Sequence, residues 1–356
     1  MRAGKYIAAC SALAALAALA AGITAFELTK PKLVRIAEAT AWAPRDSSAE
    51  FAYKGKLWIF GGWKVNYPHM LYDAWSSADG VNWDLVEMRP PIEYPDLKMS
   101  IVFKDQMWLL GGGGEPDWKI PATNAVWSST DGKNWTHVTS AAAWSPRVAS
   151  SVVAFKEKLW VLGGLDFADG KKSLKNDVWS STDGKTWELV TASAPWSPRA
   201  FHAAVAMNGR LWVLGGGSYT PEYHSLSDVW SSEDGKSWVK EVDAPWPSRL
   251  WFSAVTYRDH MWVIGGWSKK DLNYGDIWYS RDGRTWSELK PETKWRPRHE
   301  HSTFVLDDKL WIAGGHADPL TNEVWTLEVP RYWPWSMRVA AAIHRTMGWC
   351  PIRSCE

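Results

Sequence analysis

The stretch that decides the fold reads KLWVLGG (Lys158–Gly164), DVWSSTDGKTW (Asp177–Trp187) and WSPR (Trp196–Arg199). The chain repeats this phrase with small changes along most of its length. The first tryptophan of the phrase recurs at Trp58, Trp108, Trp160, Trp212, Trp262 and Trp311. Repeats of about 50 residues are typical of β-propellers whose blades are four-stranded sheets. We therefore predict six blades.

Each copy contains four segments with strand character. In the copy quoted above, the two-residue turn Lys156-Glu157 joins the apolar runs Ser150–Phe155 and Lys158–Leu162. Val178–Ser181 is the third segment, and the turn at Asp183-Gly184 leads into the fourth, Trp187–Val190. Apolar residues on both sides of the pleat are expected where blades pack face to face.

The two ends of the repeat region predict how the ring closes. The sixth copy has no D-G-x-x-W motif, so it lacks a fourth strand. The segment Leu33–Arg45 aligns with Trp187–Arg199, which is a fourth strand and the loop that follows it. We therefore predict an all-β, six-bladed propeller over residues 27–329, with an N-terminal strand completing the last blade and leaving no open sheet edge.

Composition and charge exclude some partners. The chain has 356 residues with 40 basic and 39 acidic side chains, and its formal net charge is +1. This balance gives no electrostatic footprint for nucleic acid. The 29 tryptophans are the compositional outlier, and the repeat accounts for most of them.

The first 26 residues predict export. Arg2 and Lys5 precede the apolar stretch Tyr6–Phe26, the pattern of a signal peptide. The stretch is also long enough to remain as an N-terminal membrane anchor. The expected location is periplasmic or extracellular, with or without a membrane tether.

The C-terminal segment, residues 330–356, lies outside the repeats. Cys350 and Cys355 are the two cysteines beyond the leader, and export predicts a small disulfide between them. Trp335, Val339, Ile343 and Met347 would lie on one side of a short helix, with Arg338 and Arg345 elsewhere. This pattern predicts a helix that packs on the propeller or touches a membrane surface.

The repeated motifs resemble those of a known family. An apolar strand ending in Gly-Gly, followed by spaced aromatic residues on the next two strands, is similar to the Kelch-type propellers, which include the propeller of galactose oxidase. The S-x-D-G-x-x-W turn resembles the Asp-box of sialidases, shortened by one residue. The resemblance implies the fold; it carries little information about activity.

Five arginines recur at one position of the repeat, and two interpretations are open. They are Arg45, Arg147, Arg199, Arg249 and Arg298, with Pro95 in the second copy. As a ring on one face of the disc, they could bind carboxylate or phosphate groups bidentately. Alternatively, each arginine braces the neighbouring blade through backbone carbonyl groups.

Four tryptophans outside the repeated positions indicate a ligand-binding face. Trp63 and Trp267 directly follow Gly-Gly, Trp251 follows Arg249 by two residues, and Trp118 lies in the corresponding loop of the second copy. Aromatic residues on loops of a rigid scaffold are typical of ligand contacts, with sugar rings or with protein partners. The alternative is that these side chains cap the ends of the blades.

Histidines are concentrated in the sixth copy. If Asp307-Asp308 is a hairpin turn, His299 lies opposite His316, and His301 lies two residues along the same face. The three imidazoles could then form a metal or acid–base cluster, or they could be three separately hydrogen-bonded histidines. His202 occupies the position of His301 in the fourth copy.

These residues suggest where a site would lie. The ligand-binding candidates are Trp63, Trp251, Trp267, Arg45, Arg199, Arg249, Arg298, His202, His299 and His301. Glu300 and His301 are the catalytic candidates, while His299, His301 and His316 are weak metal candidates. Blades five, six and one carry most of them, and Asp96, Lys98, Glu115 and Asp117 make blade two a secondary candidate.

The predicted function is an exported module that binds a glycan or peptide. We expect a monomeric binding protein rather than an enzyme, with no cofactor. The resemblance also implies an alternative, a sugar-modifying enzyme similar to a sialic-acid mutarotase, in which the cluster near Glu300 transfers protons. A structural envelope scaffold is the third possibility. A copper radical oxidase is excluded, because the propeller contains no cysteine to crosslink to a tyrosine.

Overall fold

The computed structural model describes residues 31–66, 69–92, 97, 99–113, 122–166, 172–220, 222–330 and 333. Within these residues the chain forms six antiparallel sheets, each with four main strands. The innermost strands contact one another in a closed ring, so the sheets are the blades of a propeller. The predicted all-β, six-bladed fold is confirmed. None of the helical structure in these ranges is long and apolar enough to span a membrane.

The blades follow one another in chain order, and each runs from an inner to an outer strand. Blade one consists of Ala49–Tyr53, Lys56–Trp63, Met70–Ser77 and Asp84–Glu87. Blade two consists of Met99–Phe103, Gln106–Leu110, Val126–Ser129 and Thr136–Thr139. Blade three consists of Ser151–Phe155, Lys158–Asp166, Ser173–Ser181 and Glu188–Thr191. Blade four consists of Ala203–Met207, Arg210–Ser218, His224–Ser232 and Trp238–Asp243. Blade five consists of Ser253–Tyr257, His260–Ile264, Ile277–Ser280 and Ser287–Leu289. Arg147–Val148 adds a short strand to blade three, and Trp267–Ser268 pairs with Leu272–Asn273.

Blade six is built from both ends of the repeat region. Its strands are Ser302–Leu306, Lys309–Ala313 and Val324–Glu328, and its outer strand is Lys32–Ala37. The outer strand pairs antiparallel with Val324–Glu328, placing Lys32 opposite Glu328 and Leu33 opposite Leu327. The predicted closure by an N-terminal strand is confirmed.

Tryptophans of the second strands pack against the turn of the next blade. Trp108 in blade two donates its Nε1 hydrogen to the carbonyl of Phe103 at 2.8 Å, which fixes the ring. Gly184 in the D-G turn of blade three has φ +71°, and an added Cβ would lie 2.3 Å from Cζ3 of Trp108. Only glycine fits this contact. Gly80 meets Trp311 in the same way, so the contact also crosses the closure between blades six and one.

Trp333 replaces this contact where blade six has no D-G turn. Its ring stacks on Trp262 of blade five, with 6.1 Å between centroids, and lies 4.6 Å from Tyr279. Trp333 is buried. A residue beyond the last strand thus covers the tryptophan that a sixth D-G turn would otherwise cover.

Candidate binding face

One end of the disc, which we call the loop face, carries the segments that lead into the inner strands. In these segments the residue after the repeated arginine pairs with the residue after Gly-Gly. The pairs are Asp46 with Trp63, Val148 with Leu165, Ala200 with Gly217, Leu250 with Trp267 and His299 with His316. Leu306 pairs with Lys309 across the Asp307-Asp308 turn, so the predicted register of His299 and His316 is confirmed.

The next residue of each segment has a left-handed backbone, and together these residues form what we call the mouth ring. They are Ser47, Leu97, Ala149, Phe201, Trp251 and Glu300, with φ between 48° and 55°. Backbone hydrogen bonds connect neighbours: the Phe201 amide donates to Ala149, Trp251 to Phe201, Glu300 to Trp251 and Ser47 to Glu300. Non-glycine residues rarely adopt this conformation. Its recurrence in every blade shows that the scaffold holds these six positions firmly.

Four aromatic residues of blades four and five form a continuous surface, which we call the aromatic patch: Tyr219, Tyr223, Trp251 and Trp267. The centroids of Trp251 and Trp267 are 5.4 Å apart, and Tyr219 lies 5.0 Å from Trp251 and 5.8 Å from Trp267. Tyr223 packs edge-on against Trp267 at 5.7 Å. Tyr219 is 49 % exposed, and the other three are partly exposed. The structure thus brings together two of the predicted tryptophans at the surface.

Two stacked histidines adjoin the aromatic patch. The rings of His299 and His316 lie 4.9 Å apart and almost parallel, and His299 lies 5.5 Å from Trp251. Burial, assisted by the charge of His316, lowers the pKa of His299 to about 3. A hydrogen bond to Asp46 at 3.3 Å raises the pKa of His316. His299 is therefore neutral at physiological pH, so a proton taken up by this pair of histidines resides on His316.

Glu300 lies at the junction of blades six and one. Its Oε1 accepts a hydrogen bond from the Ser47 hydroxyl at 2.9 Å, and its Oε2 lies 3.5 Å from Nε2 of His299. The side chain is 16 % exposed. Of the two catalytic candidates, Glu300 is thus a recessed carboxylate beside the aromatic patch.

His301 and His202 do not join this group, so of the two interpretations of the histidines the converging cluster does not fit. Both are buried; no hydrogen-bond partner for the ring nitrogens of His301 is found among the described residues, and His202 is close enough to the backbone of Leu162 for a hydrogen bond to affect its pKa. Burial lowers the pKa of each to about 3, and Arg199 or Arg298 nearby adds to the effect. In the part of the chain that the structure describes, no three potential ligands could hold a metal ion. A buried histidine cannot touch a ligand on the loop face, so both residues are structural.

The five repeated arginines are buried, and each forms an ion pair with a carboxylate in the third strand of its blade or directly before that strand. The pairs are Arg45 with Asp73, Arg147 with Asp177, Arg199 with Asp228, Arg249 with Asp276 and Arg298 with Glu323. Arg199 shows the full pattern: Nη1 and Nη2 contact Asp228 at 2.7 and 2.8 Å, and Nη1 also donates to the Gly215 carbonyl at 2.9 Å. Burial acts to raise the pKa of Asp228, but the hydrogen bonds and charge of Arg199 outweigh it and lower that pKa.

This geometry fits the bracing interpretation of the arginines and corrects their assignment as ligand-binding residues. The main chain of Arg45 bonds to blade six, where its carbonyl accepts from Gly315 at 2.8 Å, while its side chain bonds to blade one. Each guanidinium is directed into its blade and away from solvent, since the five arginines are at most 1 % exposed. Arg45, Arg199, Arg249 and Arg298 therefore do not belong to the binding surface.

Sequence reasoning missed the carboxylates and the two tyrosines, although a signal for each was present. Every carboxylate stands two residues before the tryptophan of the third strand, and blade two has Ala125 there. That copy also has Pro95 in place of the arginine, so both members of the pair are lost together. Tyr219 and Tyr223 lie outside the repeated positions, as Trp251 and Trp267 do, so the same departure from the repeat marks them.

Trp63 forms a separate contact on the loop face. Its ring stacks on His69 at 5.7 Å with an interplanar angle of 8°. The backbone pairing of Asp46 with Trp63 brings it near His316, but no ring contact to the aromatic patch is found among the described residues. Trp118, Asp96, Lys98, Glu115, Asp117, Cys350 and Cys355 lie outside the described residues, as do the leader and the predicted C-terminal helix.

A closed ring of six blades, with Gly-Gly at the end of the second strands, defines a β-propeller of the Kelch type. A family model described as the KLHDC2/KLHL20/DRC7 Kelch-repeats domain matches residues 47–243 and 98–315. These matches cover more than half of the chain. The chain therefore belongs to the Kelch-repeat family.

Curated relatives match parts of the chain. The Dynein alpha chain, flagellar outer arm, of Chlamydomonas reinhardtii is 34 % identical over 193 residues, covering 48 % of this chain and 4 % of the relative. Kelch repeat protein M-T8 of Myxoma virus is 24 % identical over 180 residues, which cover 48 % of this chain and 32 % of the relative. Beta-scruin of Limulus polyphemus is 24 % identical over 209 residues, which cover 55 % of this chain and 22 % of the relative. The chain spans less than a third of the length of these relatives.

Proposed function

We propose that this Kelch propeller is an interaction module that binds a segment of a protein partner on its loop face. The observation that carries the proposal is the aromatic patch, in which Tyr219, Trp251 and Trp267 touch one another and remain partly exposed. Tryptophan and tyrosine are the residues most enriched among interaction hot spots. The mouth ring supports the patch because it fixes the backbone of Trp251 through two hydrogen bonds.

The shape of the patch favours a protein segment over a buried small molecule. Its rings contact one another in tilted or edge-on pairs at 5.0–5.8 Å, so they form a continuous surface with no gap between them for a ligand. A small recess lies elsewhere, between blades one and two, where Ala49, Phe60, Tyr72 and Leu109 line room for about one water molecule. Carbohydrate is the second candidate ligand, because the exposed ring of Tyr219 could also stack on a sugar.

Alanine substitution tests the patch. Peptides selected from a random 12-residue display library on the wild-type propeller should bind Trp251→Ala and Trp267→Ala at least about tenfold more weakly, since each change removes a contact ring. Affinity is measured by titration calorimetry on the full chain, beside a glycan array.

Leu189→Ala is the matched control, because Leu189 is an exposed apolar side chain on the outer strand of blade three. Peptide binding that is equal in all variants would contradict the proposed surface. Retention of glycans alone, lost in the tryptophan variants, would replace the protein partner with a carbohydrate.

We also infer that the propeller acts outside the cytoplasm. The inference is supported by the basic residues and apolar stretch of residues 2–26 and by the absence of cysteine from residues 27–329. Fractionation of cells producing the chain with a C-terminal tag should recover it outside the cytoplasm or with membranes. Recovery with the cytoplasmic proteins would contradict export without affecting the proposed surface.

A further inference from the structure

Glu300 is the only ionisable side chain among the six residues of the mouth ring, which otherwise contains Ser47, Leu97, Ala149, Phe201 and Trp251. Its backbone amide donates to the Trp251 carbonyl at 2.9 Å, so its main chain is held beside the aromatic patch. The Ser47 hydroxyl contacts one carboxylate oxygen at 2.9 Å, and the other lies 3.5 Å from His299, whose ring is 5.5 Å from that of Trp251. A carboxylate has about four lone-pair sites, so it can hold several donors at once.

The buried arginines do not make the loop face positive for a partner. All five are paired with carboxylates in or directly before the third strands, so their charges are compensated within the blades. The other charged groups near the aromatic patch are of both signs: Lys269, Lys270 and Asp271 are exposed in the loop of blade five, Glu222 in that of blade four and Asp318 in that of blade six. The recessed carboxyl groups beside the patch are Glu300 and Asp46; burial raises the pKa of Asp46, which is hydrogen-bonded to His316.

Among the residues that the structure describes, no cation covers the rings of the patch. Elsewhere the chain places its own cations over aromatic rings, with Arg249 over Tyr274 at 4.3 Å and Arg89 over Tyr72 at 4.8 Å. No lysine or arginine of the described ranges lies over Tyr219, Trp251 or Trp267 in this way. A cation placed over an indole and shielded from water is attracted by the ring and stabilises a complex.

We propose that the partner segment carries an arginine or lysine that packs on Trp251 and donates to the carboxylate of Glu300. A planar guanidinium suits both contacts, since it stacks on an indole and presents several donors along its edge. The inference rests on the proposed function, because it names the chemistry of the segment that the aromatic patch would bind. It also predicts that the ligand is basic at one position, in contrast to the acidic ligand that a ring of free arginines would select.

The experiment uses the full chain and one synthetic peptide, the tightest binder from the random 12-residue library. Wild-type protein should select peptides with a shared arginine or lysine. Replacing that residue with citrulline, which keeps the shape of arginine without its charge, should weaken binding about tenfold or more. In Glu300→Gln the peptide should also bind more weakly, and citrulline should then have a clearly smaller effect than in the wild type, because only the contact with Trp251 is left to lose.

Glu222→Gln is the matched control, since it removes one negative charge from an exposed site on the same face and should leave the affinity within about twofold. Thermal unfolding of each variant confirms that it is folded. Selected peptides that depend on Trp251 but lack a shared cation, or a citrulline effect that is unchanged in Glu300→Gln, would overturn this inference and leave the proposed function standing. Peptides that do not depend on Trp251 would overturn both.

Discussion

Replacing Arg199 with methionine is expected to destabilise the propeller by about 3–5 kcal/mol, because the change leaves a buried carboxylate without its counter-charge. Asp228 would retain the indole Nε1 of Trp230 at 2.7 Å but would lose two contacts to the guanidinium. The carbonyl of Gly215 would also lose its donor. Urea denaturation at pH 7.5, followed by far-ultraviolet circular dichroism, measures the free energy of unfolding.

Blade two provides the design of the control, because Ala125 stands in it where the other blades have a carboxylate. The double variant Arg199→Met, Asp228→Ala removes both charges and should be more stable than Arg199→Met alone by at least about 1 kcal/mol. A free energy of unfolding that is unchanged in Arg199→Met, together with loss of peptide binding, would restore the ligand-binding interpretation of the arginines.

The second large effect concerns the two buried histidines and should appear on acidification. His202 and His301 each have a pKa of about 3 in the folded protein, against an ordinary value of 6.5. The unfolded chain therefore binds more protons between these values, and stability is lost as the pH falls below 6.5. Between pH 7.5 and 4.5 each histidine should cost about 2.5 kcal/mol, which is about 5 kcal/mol for the pair.

Phenylalanine is the replacement to use, because Phe252 occupies the same position in blade five and is buried there. The double variant His202→Phe, His301→Phe should lose about 5 kcal/mol less than the wild type over this pH range. His224→Phe, at an exposed position at the start of the third strand of blade four, should follow the wild type. Parallel stability curves for the wild type and the double variant would show that the buried histidines do not control the acid sensitivity.

The fold was predictable because its signals are repeated. Trp108 and Gly184 are uninformative singly, but their spacing in every copy defines both the blades and the contact between blades. The closure followed from one alignment, since Leu33–Arg45 supplies the strand that the sixth copy lacks. The role of Trp333 could not be predicted in this way, because it fills a gap in the repeat from outside the repeat.

The candidate site was only partly predictable, and the reason is the direction in which side chains point. Trp251 and Trp267 were expected on one face, and the structure joins them into a surface. The arginines were placed on the same face by their sequence positions, but their side chains enter the blades because carboxylates in or directly before the third strands attract them. Register predicted the pairing of His299 with His316, whereas the isolation of His301 depends on packing around it.

The outer strand of blade six has a consequence for how the protein is made. Lys32–Ala37 is synthesised before every blade, whereas its partner Val324–Glu328 follows the other five blades. During translation this segment therefore has no strand partner until the rest of the propeller has been made, and a chain interrupted earlier cannot complete blade six. Contacts so distant in sequence form slowly, which exposes a nascent chain to aggregation.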